Sequence, residues 1–100
     1  MNVICTNDTY PSQILEKWHQ YGVSYPIKDK IYTIRTCQRH SNGKIGIRVE
    51  EIINPSIPVK HYILGQIIIE PTFDISRFAS LSGEVLTNEV LEQIEHESAK

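Results

Sequence analysis

The chain has 100 residues, of which 40% are hydrophobic and 22% charged, with five glycines, five prolines and two cysteines. That composition belongs to one globular unit and excludes chain-wide disorder, collagen-like repeats and a disulfide-dense mini-protein. Ten Lys and Arg against twelve Asp and Glu leave a net charge of −2, so no global field draws the chain onto nucleic acid or acidic lipid.

In chain order, residues 2–6 form a short apolar run that suits a buried strand. Asn7-Asp8-Thr9-Tyr10-Pro11 reads as a turn with helix-start chemistry, because proline is tolerated in the first helical turn. Ile14, Leu15 and Trp18 fall on one face of a helix over 12–20, with Gly22 as its stop. This helix is expected to lay Trp18 across one end of the core. After the polar turn 25–30, the β-branched and aromatic stretch Ile31–Gln38 predicts a strand. Asn42-Gly43 predicts a two-residue hairpin turn, with the next strand running from Lys44 to Ile53.

A two-residue turn sets a register in which Gln38 faces Ile47, Thr36 faces Val49, Ile34 faces Glu51 and Tyr32 faces Ile53 on the inner side. On the solvent side, Arg39 meets Gly46, Cys37 meets Arg48, Arg35 meets Glu50 and Thr33 meets Ile52. One added loop residue would reverse this parity. Asn54-Pro55-Ser56-Ile57-Pro58 is expected to break the sheet. Residues 61–70 are expected to form one further strand, bent at Gly65, with an exposed edge through which copies could associate and an Ile67-Ile68-Ile69 run that needs cover. Phe73, Ile75 and Phe78 are expected to plug the core.

The end of the chain changes character. Residues 84–100 carry Glu84, Glu89, Glu92, Glu95 and Glu97 against Lys100, a net of −4, while residues 1–83 carry +2. Leu86, Val90, Leu91 and Ile94 form an apolar stripe at helical spacing, and Thr87 can cap it. The predicted organisation is mainly β: a small SH3-like antiparallel barrel over 1–83 with a short N-terminal helix, then an acidic amphipathic C-terminal helix over 84–100. An α+β sheet crossed by the terminal helix is the alternative. No apolar run exceeds three residues, well short of the ~20 a membrane span needs. The first residues hold neither a basic nor an apolar leader segment. The expectation is therefore a cytoplasmic protein without a membrane partner, with Cys5 and Cys37 reduced and buried.

The order Trp18, Lys30-Ile31-Tyr32-Thr33-Ile34, Gly46-Ile47-Arg48-Val49-Glu50-Glu51-Ile52 and Ser76-Arg77-Phe78, followed by an acidic tail, resembles a group of small uncharacterised proteins. They come from gut Bacteroidetes and their phages or mobile elements, and share a tryptophan, a G-x-x-Y-T-V strand entry, an L-E-E-I run and a late R-F. The resemblance spans residues 2–80. It implies an SH3-like fold and a bacterial or phage source but no activity, so it transfers no functional residue. The chain departs from the group at Asp29, where glycine is usual, and in its additional stretch at 61–70.

The sequence contains no phosphate-cradling glycine motif and no Cys-x-x-Cys, and His19, His40, His61 and His96 stand far apart. No cofactor or metal site is therefore expected. Glu50 and Glu51 point to opposite faces of a strand and cannot act as an acid–base pair. Glu51, on the inner face, needs a partner such as Arg77 or a backbone cap. Ser76 has no neighbouring base, so the chain is not expected to be an enzyme. His61, beside Tyr62 at a strand start, is the one histidine suited to a pH-linked role.

Two binding surfaces are candidates. Tyr10, Trp18, Tyr21 and Tyr25 could line a shallow groove for an extended peptide, as aromatics do in SH3-type barrels, and full burial of Trp18 would count against it. Arg35, Arg39, Lys44 and Arg48 would project from the solvent face of the hairpin and could sit on phosphates, although Glu50 interrupts them. The leading expectation is a non-catalytic protein-interaction or assembly module, with an unknown protein or a second copy as partner. The alternative is a weak nucleic-acid binder.

Overall fold

The computed structural model describes residues 1–40, 43–61, 63–83 and 86. In chain order these form β1 (Asn2–Cys5), α1 (Ser12–Tyr21), β2 (Ile31–Arg39), β3 (Ile45–Val49), β4 (Ile57–His61), β5 (Gly65–Ile69), β6 (Phe73–Asp74), a 3-10 turn (Ile75–Arg77) and β7 (Phe78–Ser80). Every pairing is antiparallel. One sheet has the order β6-β3-β2-β1-β7, and β4 and β5 form a separate ribbon. The edges β6 and β7 are consecutive in the chain and joined by a single 3-10 turn, so the sheet has to curl until its edges approach. No ladder joins them among the described residues. The described strands thus form a mainly β, antiparallel curled sheet whose edge strands, of two and three residues, share no closing ladder. The expected C-terminal helix lies outside the described residues, except for Leu86, which packs half-buried against the core.

Helix α1 forms where the apolar spacing placed it. Pro11, with φ −56° and ψ 144°, precedes its first residue, and the Pro11 carbonyl accepts from the N–H groups of Ile14 and Leu15 at 3.0 and 3.2 Å. Gly22 ends it in the left-handed region at φ 73°. There Gly22 N–H donates to the His19 carbonyl, and Val23 N–H donates to the Trp18 carbonyl at 2.8 Å. This is a Schellman closure, and its apolar pair, Val23 and Trp18, is buried in the core.

The β2–β3 register differs from the predicted one. Cys37 pairs with Ile47, Gln38 with Gly46 and Arg39 with Ile45. His40 N–H donates to the Lys44 carbonyl, Gly43 N–H donates to the His40 carbonyl, and Gly43 has φ 82°. The connection therefore has three residues and ends on a left-handed glycine, the common alternative to a two-residue turn. A second shift follows at Arg35, where Ile34 pairs with Val49 but Thr36 pairs with Arg48. Arg35 is thus a bulge residue, and it restores Tyr32 and Ile34 to the inner face beside Ile47 and Val49. The bulge moves Gln38 and Thr36 off the face predicted for them. Strand β3 stops at Val49, so Ile53, expected opposite Tyr32, is 69% exposed.

The stretch 61–70 is also corrected. It is not one bent strand: β4 turns back through 62–64 into β5, with His61 opposite Gly65 at φ 79°. His61 closes β4 rather than opening a strand, and its side chain lies outside the described residues. Pro58 sits within β4, tolerated because a two-stranded ribbon has an open edge. Alternation divides the isoleucine triplet. Ile67 and Ile69 share a face with Val59 and Ile57, while Ile68 on the opposite face is 74% exposed.

The core holds Val3, Cys5, Trp18, Val23, Tyr32, Ile34, Ile45, Ile47, Val49, Ile57, Phe73 and Phe78. Phe73 and Phe78 are the expected plugs, and Ile75 packs half-buried beside them. Gly46 meets Thr72 and His40 so closely that an added Cβ would overlap Thr72 Cβ at 2.6 Å. Replacing Gly46 with Ala is therefore expected to cost about 2 kcal/mol through overpacking. Chemical denaturation would register this as a lower midpoint with an unchanged slope.

Candidate functional site

Three strands and a loop meet at Glu70, the residue after β5. The Arg35 guanidinium grips its carboxylate with two bonds, NH1 to Oε1 at 3.1 Å and NH2 to Oε2 at 2.5 Å. Asn54 N–H donates to the same Oε2 at 3.1 Å. Arg48 donates from Nε and NH2 to the Glu70 carbonyl at 3.1 and 2.6 Å. Arg35 also donates to the Val49 carbonyl at 3.2 Å. The hydrogen bonds from Arg35 hold the Glu70 carboxyl below its ordinary value of 4.5, assisted by Asn54 and Arg48 against a partial loss of hydration. Asn54 is itself buried, and its side-chain amide exchanges two 2.8 Å bonds with the backbone of Ser24, as a paired strand would.

This cluster redistributes the cations that the predicted register placed on one solvent face. Arg35 and Arg48 are held at Glu70, with side chains 27% and 13% exposed. Arg39 stands opposite Ile45, on the other side of β2 from Arg35's neighbour Thr36 and from Gln38. Lys44 sits just before β3, opposite His40, near enough to Asp74 to affect its titration. The four therefore do not form one basic face. Arg35 does not pair with Glu50 as expected: its acid is Glu70. Glu51, expected on the inner face, is exposed and caps the backbone, accepting from Thr33 N–H at 2.8 Å and from Thr33 Oγ1 at 2.9 Å.

Of the aromatic candidates, Trp18 belongs to the core and Tyr10 and Tyr25 pack half-buried against it. Trp18 is only 9% exposed and packs edge-on against Tyr10 and Phe73, at ring separations of 4.7 and 5.7 Å, with Tyr25 at 5.7 Å. Tyr21 is 41% exposed. Of the four residues expected to line a peptide groove, Tyr10, Trp18 and Tyr25 meet in an aromatic cluster that seats α1 on the sheet, and Tyr21 makes no ring contact with them. Arg77 covers it, with its guanidinium carbon 3.7 Å from the centre of the Tyr10 ring and NH1 donating to the Thr9 carbonyl at 2.7 Å. Burial pushes the Tyr10 hydroxyl up to about 12, and Arg77 only partly offsets it.

A different groove exists. It has a volume of about 720 Å³ and lies between α1, the β2–β3 tip and the β4–β5 ribbon. Its floor is the buried Trp18, Ile57 and Pro71, and its walls are Ile14, Val59, Ile67 and Ile69. Lys17, Arg39, Arg48, Lys60 and His40 also line it, against Glu70 as the one carboxylate among its described lining residues. Because Glu70 is already gripped by Arg35, the groove offers an apolar bed under a net positive rim. Only Trp18, Arg39 and Arg48 of the predicted candidates take part. Among the described residues no three His, Cys, Asp or Glu come together as metal ligands would. Compared with known proteins, the chain matches no family model, no curated protein and no solved structure.

The Glu70 cluster has a measurable consequence. Glu70→Gln keeps the shape but leaves Arg35 and Arg48 without their anion, and is expected to cost about 2 kcal/mol at neutral pH. Because the folded carboxyl titrates below its ordinary 4.5, its contribution is complete above that pH and is lost as pH falls through the folded-state value. Urea titrations from pH 7 down to acid should therefore show wild type and variant converging. A constant gap would assign the loss to packing.

Proposed function

We propose that the chain is a non-catalytic protein-interaction module on an SH3-like framework, and that its binding surface is the groove between α1, the β2–β3 tip and the β4–β5 ribbon. The SH3-like reading draws on the strand order β6-β3-β2-β1-β7, with the two edges joined by one 3-10 turn. On that reading the β4–β5 ribbon is an insertion, and it builds one wall of the groove. The Bacteroidetes or phage source implied by the resemblance fits a small module of this kind and contributes no residue to the site.

The observation that carries the reading is the groove's composition: an apolar bed lined by Lys17, Arg39 and Lys60, with Arg48 held at Glu70, its one described carboxylate. Such a surface favours a segment that is apolar on one side and acidic at its margins. The carboxylate is a poor proton carrier for catalysis, because Arg35 keeps it ionised and engaged. Phosphate binding along the hairpin loses support because Arg35 and Arg48 are committed to Glu70.

Trp18 is the sole tryptophan and lies on the groove floor, so its emission reports occupancy. An amphipathic Leu/Glu peptide of 14 residues should shift that emission saturably, while a Leu/Lys peptide of equal length should not. Lys17→Glu/Lys60→Glu should weaken the Leu/Glu peptide about tenfold, and raised salt should weaken it further. Equal binding of both peptides would remove the charge argument. Binding of neither would remove the groove.

A further inference from the structure

We infer that the chain pairs with a second copy of itself along the outer edge of β5, the two β5 strands running antiparallel with Ile68 opposite Ile68 of the partner subunit. This pairing does not depend on what the groove binds. Among the described strands, β5 is the longest unguarded edge. The edges of the five-stranded sheet, β6 and β7, have only two and three residues. The outer edge of β4 carries Pro58 and Lys60, residue types that blunt a strand edge. Strand β5 reads Gly65-Gln66-Ile67-Ile68-Ile69, with no charge and no proline.

The phase of the β4–β5 ladder decides which backbone groups face outward. Pro58 has no N–H and stands opposite Ile68, which suits a pair whose backbone groups point away from the ladder. Gln66 has the same phase, and its N–H donates back to the Leu64 carbonyl at 3.0 Å. Ile68 therefore directs one donor and one acceptor outward, and it is 74% exposed. Further along the edge, the Glu70 carbonyl is already taken by Arg48. A new ladder on this edge is thus centred on Ile68.

A second copy fits this edge by symmetry. Two antiparallel strands related by a two-fold axis at Ile68 exchange both N–H to carbonyl bonds there. They also bring two β-branched side chains together across the strands. An uncharged strand sets no like charges against its own copy. The resulting strand order β4-β5-β5-β4 leaves only the edges that carry Pro58, so assembly stops at two chains. A five-residue ladder is about 17 Å long and falls short of the ~800 Å² per partner of a standard interface. The dimer is therefore a transient one, with a dissociation constant on the order of 100 µM.

The test uses the full chain. Between about 5 µM and about 1 mM, sedimentation equilibrium should show the mass rising from one chain to two and no further. Amide exchange at Ile68, followed by NMR, should slow over the same range. Ile68→Lys sets two cations face to face at the symmetry axis and should stay monomeric throughout, with circular dichroism confirming that the fold is retained. Ile68→Cys places two Cα atoms about 5.5 Å apart, within disulfide reach. It should cross-link at least tenfold faster than Ile53→Cys, a site of similar exposure at 69%. A single-chain mass at the highest concentration would overturn the inference, and so would growth beyond two chains. Equal dimerisation of Ile68→Lys, or equal cross-linking of the two cysteine variants, would place the contact elsewhere and overturn it as well. If the chain stays monomeric while the Leu/Glu peptide slows exchange at Ile68, a foreign strand holds the edge and the second copy does not.

Discussion

Glu70 ties the paired strands β2 and β3 to the loop before β4 and to the end of the β4–β5 ribbon. Its carboxylate takes Arg35 from the bulge in β2 and Asn54 from the loop before β4, and its carbonyl takes Arg48 from β3. Without that anion the bulge would leave a guanidinium half-buried with no counter-charge, and the β4–β5 ribbon would be attached to the sheet mainly by Ile57 and Val59. A bidentate arginine–carboxylate pair fixes angle as well as distance. It therefore sets where the ribbon stands relative to α1, and so sets the width of the groove between them. The groove is a consequence of this clamp.

A second lock holds α1 itself. Tyr10, Trp18, Tyr25 and Phe73 interleave edge to face, and Arg77 closes over Tyr10 while its own carbonyl accepts from Thr6 N–H at 2.8 Å. The helix thus presents Ile14 and Lys17 to the groove and buries Trp18 beneath it. Aromatic residues that looked like a binding surface hold one side of the groove in place.

The two candidate partners separate on electrostatic grounds. A ribbon that binds phosphates needs cations free to release counterions. Here two of the four candidate cations answer an internal carboxylate, and a third, Arg39, faces the groove. On the proposed reading, the groove joins an apolar bed to positive charge, a pairing that would favour an amphipathic acidic segment over a polyanion.

Local pattern carried much of the fold. Helix α1, its glycine stop, β1, β2 and the core plugs Phe73 and Phe78 could all be read from spacing and turn chemistry, because each depends on neighbours within a few residues. The β2–β3 register could not, because Asn42-Gly43 is compatible with a two- or a three-residue connection, and that choice is made by which side chains reach the core. One clue was present: the inner residues Tyr32 and Ile34 are even-numbered and Cys37, which pairs with Ile47, is odd-numbered, a phase break that a bulge must absorb. The return of β4 into β5 was hidden because Gly65 suits a bend within one strand as well as a turn between two. The partners of Arg35, Asn54 and Arg77 lie 35, 30 and 68 residues away. Pairings at that range come from packing, so the chain by itself determined its elements and its charge division, while the clamp at Glu70 and the groove exist only once those elements have met.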